Sequence, residues 1–188
     1  MTIALTAGGT GGHVFPALSL AEKLAELGHE VHLFTDSRGL KYQKSYGIEK
    51  VICLPIQRNK GVSGSIQFIV SLMIATLKCF FQFIVQRPQV VVGFGGYVSA
   101  PAILAAYMLR IKTILHEQNA VLGRLNRKVA PYVSYLATSF PEVRYAEALN
   151  PIMTGNPVRP EFITIGSQPF PSHNSKLKIF VVGGSQGA

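Results

Sequence analysis

The sequence predicts an α/β protein, a Rossmann-like parallel sheet with helices on both faces. Three observations carry this. Thr2 to Ala7 is a short apolar run that feeds the loop Gly8-Gly9-Thr10-Gly11-Gly12-His13, and Phe15 to Leu27 follows with helical spacing. The same succession of strand, glycines and helix returns at Gln89 to Val92, Gly93-Phe94-Gly95-Gly96-Tyr97-Val98-Ser99 and Ala100 to Leu109. Between and after these units, short β-rich runs alternate with helical patterns, the order that right-handed parallel crossovers require.

The first loop carries chemistry as well as a turn. Four glycines within five residues let the backbone turn sharply and approach a ligand closely. N–H groups at the start of the following helix face any anion held there. His13 stands where its side chain reaches both the anion and the group bonded to it. Two such loops in one parallel sheet lie at the carboxyl ends of its strands, where open α/β sheets bind ligands, and together they could enclose a diphosphate. A nicotinamide or flavin site is disfavoured, although Asp36 ends a strand where such sites place a ribose-binding acid. Val14 occupies the position of the third glycine, and G-x-x-x-x-G-K-[ST] does not occur.

The remaining elements follow in order. Leu27-Gly28-His29 reads as a helix stop and Glu30 to Asp36 as the second strand. His29 and His32 read as surface or strand-end histidines, since a metal pair would lack a third ligand. Lys50 to Leu54 is a third strand, followed by a loop containing Arg58, Lys60, Gly61 and Gly64. Ile66 to Val85 is long and apolar enough to raise the question of a membrane span. Placed on a helix, however, Gln67, Ser71, Lys78, Gln82 and Gln86 fall in one stripe. This fits a helix lying on a sheet, and a central Lys opposes spanning at roughly 2.5–3.5 kcal/mol. Either the helix is a well-covered core element, or its surplus Phe and Ile form a patch that, with Arg58, Lys60 and Arg87, suits an anionic bilayer surface.

Pro88 ends that helix, Ser99 is a plausible N-cap for the next, and Lys112 to Leu115 is a strand delivering His116-Glu117-Gln118-Asn119 to the ligand edge. Four polar side chains after an apolar strand are costly to bury and point to a pocket rim. The alternative is a capping cluster, with Asn119 capping a helix that holds Leu122 to Ala130. Val133 to Ala137 and Pro151 to Met153 complete the strands before Thr154-Gly155-Asn156-Pro157-Val158-Arg159. Pro, Ser, Gly and Asn then dominate, the composition of a connection. The expected organisation is a domain at 1–159, a linker at 160–175 and the first strand and loop of a second α/β domain at 176–188, ending in Gly183-Gly184-Ser185-Gln186-Gly187-Ala188.

Composition narrows the partners. The chain has 188 residues, 48% of them hydrophobic, with 18 Lys and Arg against 9 Asp and Glu, a formal charge of +9. Its partners are expected to be anionic: phosphates, nucleic acid or an acidic membrane. Nucleic acid ranks last, because no readout motif or stacking platform accompanies the charge. Cys53 and Cys79 lie in apolar stretches without metal or redox spacing and read as buried free thiols in a reducing compartment. The N-terminus shows no signal-peptide pattern, so a cytoplasmic location is expected.

Taken together, G-G-T-G-G-H at 8–13, G-F-G-G-Y-V-S at 93–99, H-E-Q-N at 116–119, T-G-N-P-V-R at 154–159 and G-G-S-Q-G-A at 183–188 resemble the successive motifs of the MurG family. These bacterial peptidoglycan glycosyltransferases move N-acetylglucosamine from UDP-N-acetylglucosamine onto lipid I to make lipid II. The resemblance covers the whole chain but about half of the family's usual length. It implies the N-terminal acceptor domain of a GT-B fold and an inverting transfer, with no metal or cofactor. It also implies a protein on the cytoplasmic face of the bacterial inner membrane, peripherally bound to its anionic surface.

By the same resemblance, Gly8, Gly9, Thr10, Gly11, Gly12, Gly93, Gly95, Gly96 and Tyr97 hold the acceptor diphosphate. His13 is the candidate general base, and Glu117 is the alternative base or the partner of His13. Gln118, Asn119 and Asn126 line the acceptor cleft or the donor side. Thr10, Gly11, Gly12, Asn119, Arg159 and Ser185 match donor-binding positions. Residues that would recognise uracil, ribose and the acetamido sugar belong to the family's second half, so residues 1–188 alone are expected to show no transfer. The competing expectation is a membrane-docking module that holds a polyprenyl diphosphate without chemistry.

Overall fold

A computed structural model describes residues 1–42, 46–57, 61–166, 179 and 181. Seven parallel strands form one sheet: β1 (Thr2–Thr6), β2 (Glu30–Thr35), β3 (Lys50–Cys53), β4 (Val90–Gly93), β5 (Lys112–Glu117), β6 (Tyr135–Thr138) and β7 (Ile152–Met153). Their spatial order is β3-β2-β1-β4-β5-β6-β7. The chain therefore runs outward in one direction through β1, β2 and β3, then returns to the middle and runs outward in the other through β4 to β7. The point of reversal lies between β1 and β4, where Thr6 is in register with Gly93. In a parallel sheet that reversal opens a crevice at the carboxyl ends of the two central strands, and both glycine loops leave from there.

Helices cover both faces. Helix α1 (Gly11–Glu26) packs Val14, Ala17, Leu18 and Ala21 on one side of the sheet against Leu5, Leu33 and Val92. On the opposite side, α2 (Gly61–Gln86) and α3 (Gly96–Met108) share a core with Ala4, Phe34, Val91 and Leu115. Phe83 of α2 meets Phe34 of β2 edge-on, with ring centroids 5.1 Å apart. Burying rings of this kind contributes roughly 1.5–3 kcal/mol each. Two short helices follow, α4 (Arg124–Val129) and α5 (Pro160–Gly166).

Several boundaries differ from the sequence reading for local reasons. Helix α1 starts at Gly11, so Gly11, Gly12 and His13 form its first turn, with Thr10 as the extended N-cap. Helix α3 starts at Gly96, with Gly95 before it. Ser99 is therefore not the N-cap. It lies one turn inside the helix, its hydroxyl 2.8 Å from the Gly95 carbonyl and 3.0 Å from that of Thr6. Residues 160–166, expected within an irregular linker, form α5, with Pro160 at the first helical position and Glu161 in the first turn. The rest of that linker, and the expected strand and glycine loop of a second domain with Ser185, lie outside the described residues, apart from positions 179 and 181.

Helix α2 leaves much of its apolar surface exposed, the second of the two readings of this stretch. Part of its polar stripe bonds to the rest of the protein. The Ser71 hydroxyl is buried and accepts from the Gln57 N–H at 3.4 Å, and Lys78 donates to the Cys53 carbonyl at 2.8 Å. Gln86 donates to Gln82 and accepts from His32 at 2.8 Å. His32 is itself buried, contrary to the surface reading, and its other ring nitrogen reaches Glu30 at 2.8 Å. The outward face carries Ile66, Ile69, Met73, Leu77, Phe81 and Val85, with Phe81 63% and Val85 77% exposed. The stretch Gly64–Gln86 is long and apolar enough to cross a membrane, yet here it lies along a sheet. Neither cysteine is paired, and burial pushes the Cys79 thiol up to about 12.

Candidate functional site

The two glycine loops meet at the reversal point, and the residues around them explain how closely they fit. A Cβ on Gly8 would lie 2.6 Å from Val98 of α3 and 2.9 Å from the Asp36 carboxylate, so only glycine lets the first loop pass the start of α3. Gly95 has φ +83°, and a Cβ there would lie 2.8 Å from the Asn126 amide. Any other residue at Gly95 would meet both backbone strain and a clash.

His13 projects from the first turn of α1 into this crevice and is half-buried. Its Nδ1 lies 2.9 Å from Gln118 Oε1. The Nε2 edge faces the second loop, 3.6 Å from where a Cβ on Gly96 would stand. Thr10, Gly11 and Gly12 open α1 beside it, and the Thr10 side chain does not cap the helix. The structure thus brings Gly8 to Gly12, His13, Gly95, Gly96, Tyr97 and Gln118 together, while Gly93 at the end of β4 packs against Ser99 and Ile103 of α3.

Asp36 and Arg38 also stand at the loops, where sequence reasoning did not place them. The Asp36 carboxylate, 2% exposed, accepts from the Gly9 N–H at 3.1 Å, the Gly39 N–H at 2.9 Å and the Tyr97 hydroxyl at 3.0 Å. It therefore ties the first loop to the second. Arg38 donates to Asp36 at 3.2 Å and lies over the Tyr97 ring at 5.4 Å, placing a partly exposed cation beside Gly9 where an anion on the loops would meet it. The signal was present, a lone acid at the end of β2, but the nucleotide-ribose precedent directed attention away from the loop.

Glu117 and Asn126 occupy different places from those expected of cleft residues. Glu117 is 1% and Asn126 2% exposed. The Glu117 carboxylate accepts from the Asn119 N–H at 3.1 Å, the Asn119 side chain at 2.8 Å, the Gly123 N–H at 2.9 Å and the Asn126 amide at 2.8 Å. It thereby does the capping expected of Asn119, since Gly123 stands at the N-cap of α4. Its lone pairs are occupied, and His13 is bonded to Gln118 rather than to Glu117. Glu117 is the buried anchor beneath the second loop, acting on Gly95 through Asn126.

His116 is 4% exposed and lies tilted against Phe94, with ring centroids 5.5 Å apart. Its Nε2 reaches the Gly155 carbonyl at 3.0 Å and its Nδ1 the Gln118 amide nitrogen at 2.9 Å. Burial lowers its pKa below the usual histidine value of 6.5, against the opposing pull of the Gly155 carbonyl and the Glu117 charge. A folded pKa below the unfolded one means that the unfolded chain binds the proton first, so this contribution to stability is full above 6.5 and is lost as pH falls. The melting temperature is expected to drop between about pH 7.5 and about pH 5.5, with a smaller drop in His116→Phe. Thermal denaturation of both proteins at the two pH values checks this.

A second concavity of about 370 Å³ adjoins the crevice between α1 and the segment leaving β7. Gly11 and Gly12 form one wall, and Arg159 forms another, its guanidinium 5.2 Å from the Phe15 ring and 4.6 Å from that of Phe162. Arg159 is thus beside the first loop.

A parallel sheet reversed between β1 and β4, with glycine loops from both strands facing each other, is a Rossmann-like domain of the GT-B type. Residues 3–138 match the glycosyltransferase family 28 N-terminal domain, and the chain belongs to that family. Over 190 residues it is 42% identical to the UDP-N-acetylglucosamine–N-acetylmuramyl-(pentapeptide) pyrophosphoryl-undecaprenol N-acetylglucosamine transferase of Rhodospirillum rubrum, covering 99% of this chain and 49% of the relative. The enzyme of the same name from Wolbachia pipientis of Culex pipiens is also 42% identical, over 188 residues, 100% of this chain and 51% of the relative. The crystal structure of Acinetobacter baumannii MurG superposes with a TM-score of 0.66 at 28% identity, covering 84% of this chain and 44% of that one. The chain thus spans about half the length of the curated relatives it matches, and it corresponds to the N-terminal half of MurG.

Proposed function

We propose that this chain is the acceptor-binding half of a MurG-type transferase that moves N-acetylglucosamine from UDP-N-acetylglucosamine to lipid I. The observation that carries the reading is His13 at the junction of two glycine loops, its Nε2 edge turned to the second. The loop N–H groups, the start of α1 and Arg38 cradle the acceptor diphosphate. His13 Nε2 takes the proton of the muramoyl hydroxyl as its oxygen bonds to the anomeric carbon. The bond from that carbon to the UDP oxygen breaks on the opposite face, inverting the configuration. Arg159 and the opening of α1 face the donor, and residues beyond 159 lead to the donor half. A chimera of residues 1–188 with the C-terminal half of the Rhodospirillum rubrum relative is expected to form lipid II from a lipid I analogue. Failure of a folded chimera that binds both substrates would count against the reading.

The outward face of α2 favours a second component, peripheral docking on the anionic cytoplasmic surface of the membrane. Exposed Leu104, Tyr107 and Met108 continue the apolar face onto α3, and exposed Arg87 and Arg110 stand at the ends of the two helices. Apolar insertion flanked by cations is the pattern of an interfacial surface. Replacing Leu77 and Phe81 by Ser is expected to weaken co-sedimentation with phosphatidylglycerol vesicles at least tenfold, because each loses roughly 1.5–3 kcal/mol of burial. His13→Ala should leave it unchanged. Undiminished binding of the double variant would remove the patch from the reading.

A further inference from the structure

The hydrogen bonds from His13 inward have a direction, and it is fixed at the far end. A backbone carbonyl can only accept, so His116 Nε2, 3.0 Å from the Gly155 oxygen, must carry the proton. A neutral His116 then offers a lone pair at Nδ1, which the Gln118 amide nitrogen fills at 2.9 Å. The second hydrogen of the same amide points to the His116 carbonyl at 3.3 Å, an independent reason for this orientation. A flipped amide would set its oxygen against that carbonyl and against the His116 lone pair. Gln118 Oε1 therefore faces His13, and since this oxygen only accepts, His13 Nδ1 must donate across the 2.9 Å contact.

We infer that His116 is a positioning residue that holds His13, through Gln118, in the tautomer with its proton on Nδ1 and a free lone pair on Nε2, and that the Gly155 carbonyl sets the whole chain of bonds. The inference rests on the reading of His13 as the base. Its chemical sense is that Nε2, turned to the second loop, is ready to accept a proton. Once it has done so, the imidazolium still donates from Nδ1 to Gln118, so none of the bonds must rearrange. Phe94 packs on His116 and helps fix its plane. Gly155 belongs to the segment by which the chain leaves β7 toward Arg159, so the state of the base is tied to the backbone of that exit segment rather than to the loops alone.

Long-range proton–nitrogen correlation spectra of the 188-residue chain, at a pH where the histidines are neutral, report each ring's tautomer. In the parent, His13 is expected wholly as the Nδ1–H form and His116 as the Nε2–H form. His116→Phe, which keeps a ring against Phe94 but removes both bonds, should return His13 to a mixture of tautomers. Gln118→Leu should do the same while leaving His116 in the Nε2–H form that the Gly155 carbonyl fixes. A parent His13 protonated on Nε2, or a His13 spectrum unchanged in a folded variant, would overturn the inference. If the spectra behave as expected but the His13→Ala chimera keeps full transfer, the tautomer lock stands and the base assignment fails.

Discussion

Replacing Glu117 by Ala is expected to lower the melting temperature by about 5–15 °C. The carboxylate lies under the second loop and accepts from Gly123, Asn126 and twice from Asn119. Truncation leaves the buried Asn126 amide and the Gly123 N–H without their acceptor, at roughly 1–3 kcal/mol for each buried group. For a chain of this size each kcal/mol moves the midpoint by about 2–4 °C. Glu117→Gln should cost less, since its one oxygen satisfies part of the set while its amide opposes a donor. Thermal denaturation gives the stability, and transfer by the chimera gives the chemistry. An anchor predicts that activity falls with the folded fraction and with the placement of Gly95. A base predicts a fully folded Gln variant with transfer abolished, and that result would reinstate Glu117 as a catalytic group.

His13→Ala in the chimera is expected to reduce lipid II formation by about 10²–10⁴-fold, the usual worth of a positioned general base. The fold should tolerate the change, because His13 is half-buried and its single side-chain hydrogen bond is to a half-buried Gln118. Lipid I binding should change far less than turnover, because the proposed reading gives the diphosphate to backbone groups and Arg38. Turnover retained within a few-fold would move the search for the base elsewhere in the crevice.

Much of the fold was legible because periodicity and glycine placement are local. The runs that became β1, β2, β4 and β5 are short and apolar between clear breakers, and both glycine loops stand at the carboxyl edge of the sheet as read, although the reversal between β1 and β4 that brings them together was not. What escaped was decided by contacts between distant segments. Asp36 looked like a ribose acid from its place in the chain, but its role depends on Tyr97, 61 residues away. Glu117 and Gln118 are neighbours with opposite fates, because side chains on a strand alternate between faces: one points under the second loop and the other toward His13. The stripe on α2 was located by periodicity, but its partners were not legible, because Ser71, Lys78 and Gln86 meet Gln57, Cys53 and His32 on other segments.

The placement of α2 bears on distance. Helix α2 runs back along the sheet for about 1.5 Å per residue, and its first half lies at the same edge as the glycine loops. Phe68 meets the Tyr97 ring edge-on at 5.7 Å, and Tyr97 is bonded through Asp36 to Gly9. Ile69 and Val70, the next two residues, already face outward. The path from the apolar surface to the diphosphate cradle is therefore only a few side chains long. A polyprenyl-linked acceptor would reach His13 by lifting its head group alone while its hydrocarbon tail stays in the bilayer, so the work of extracting a lipid into water would never enter the reaction.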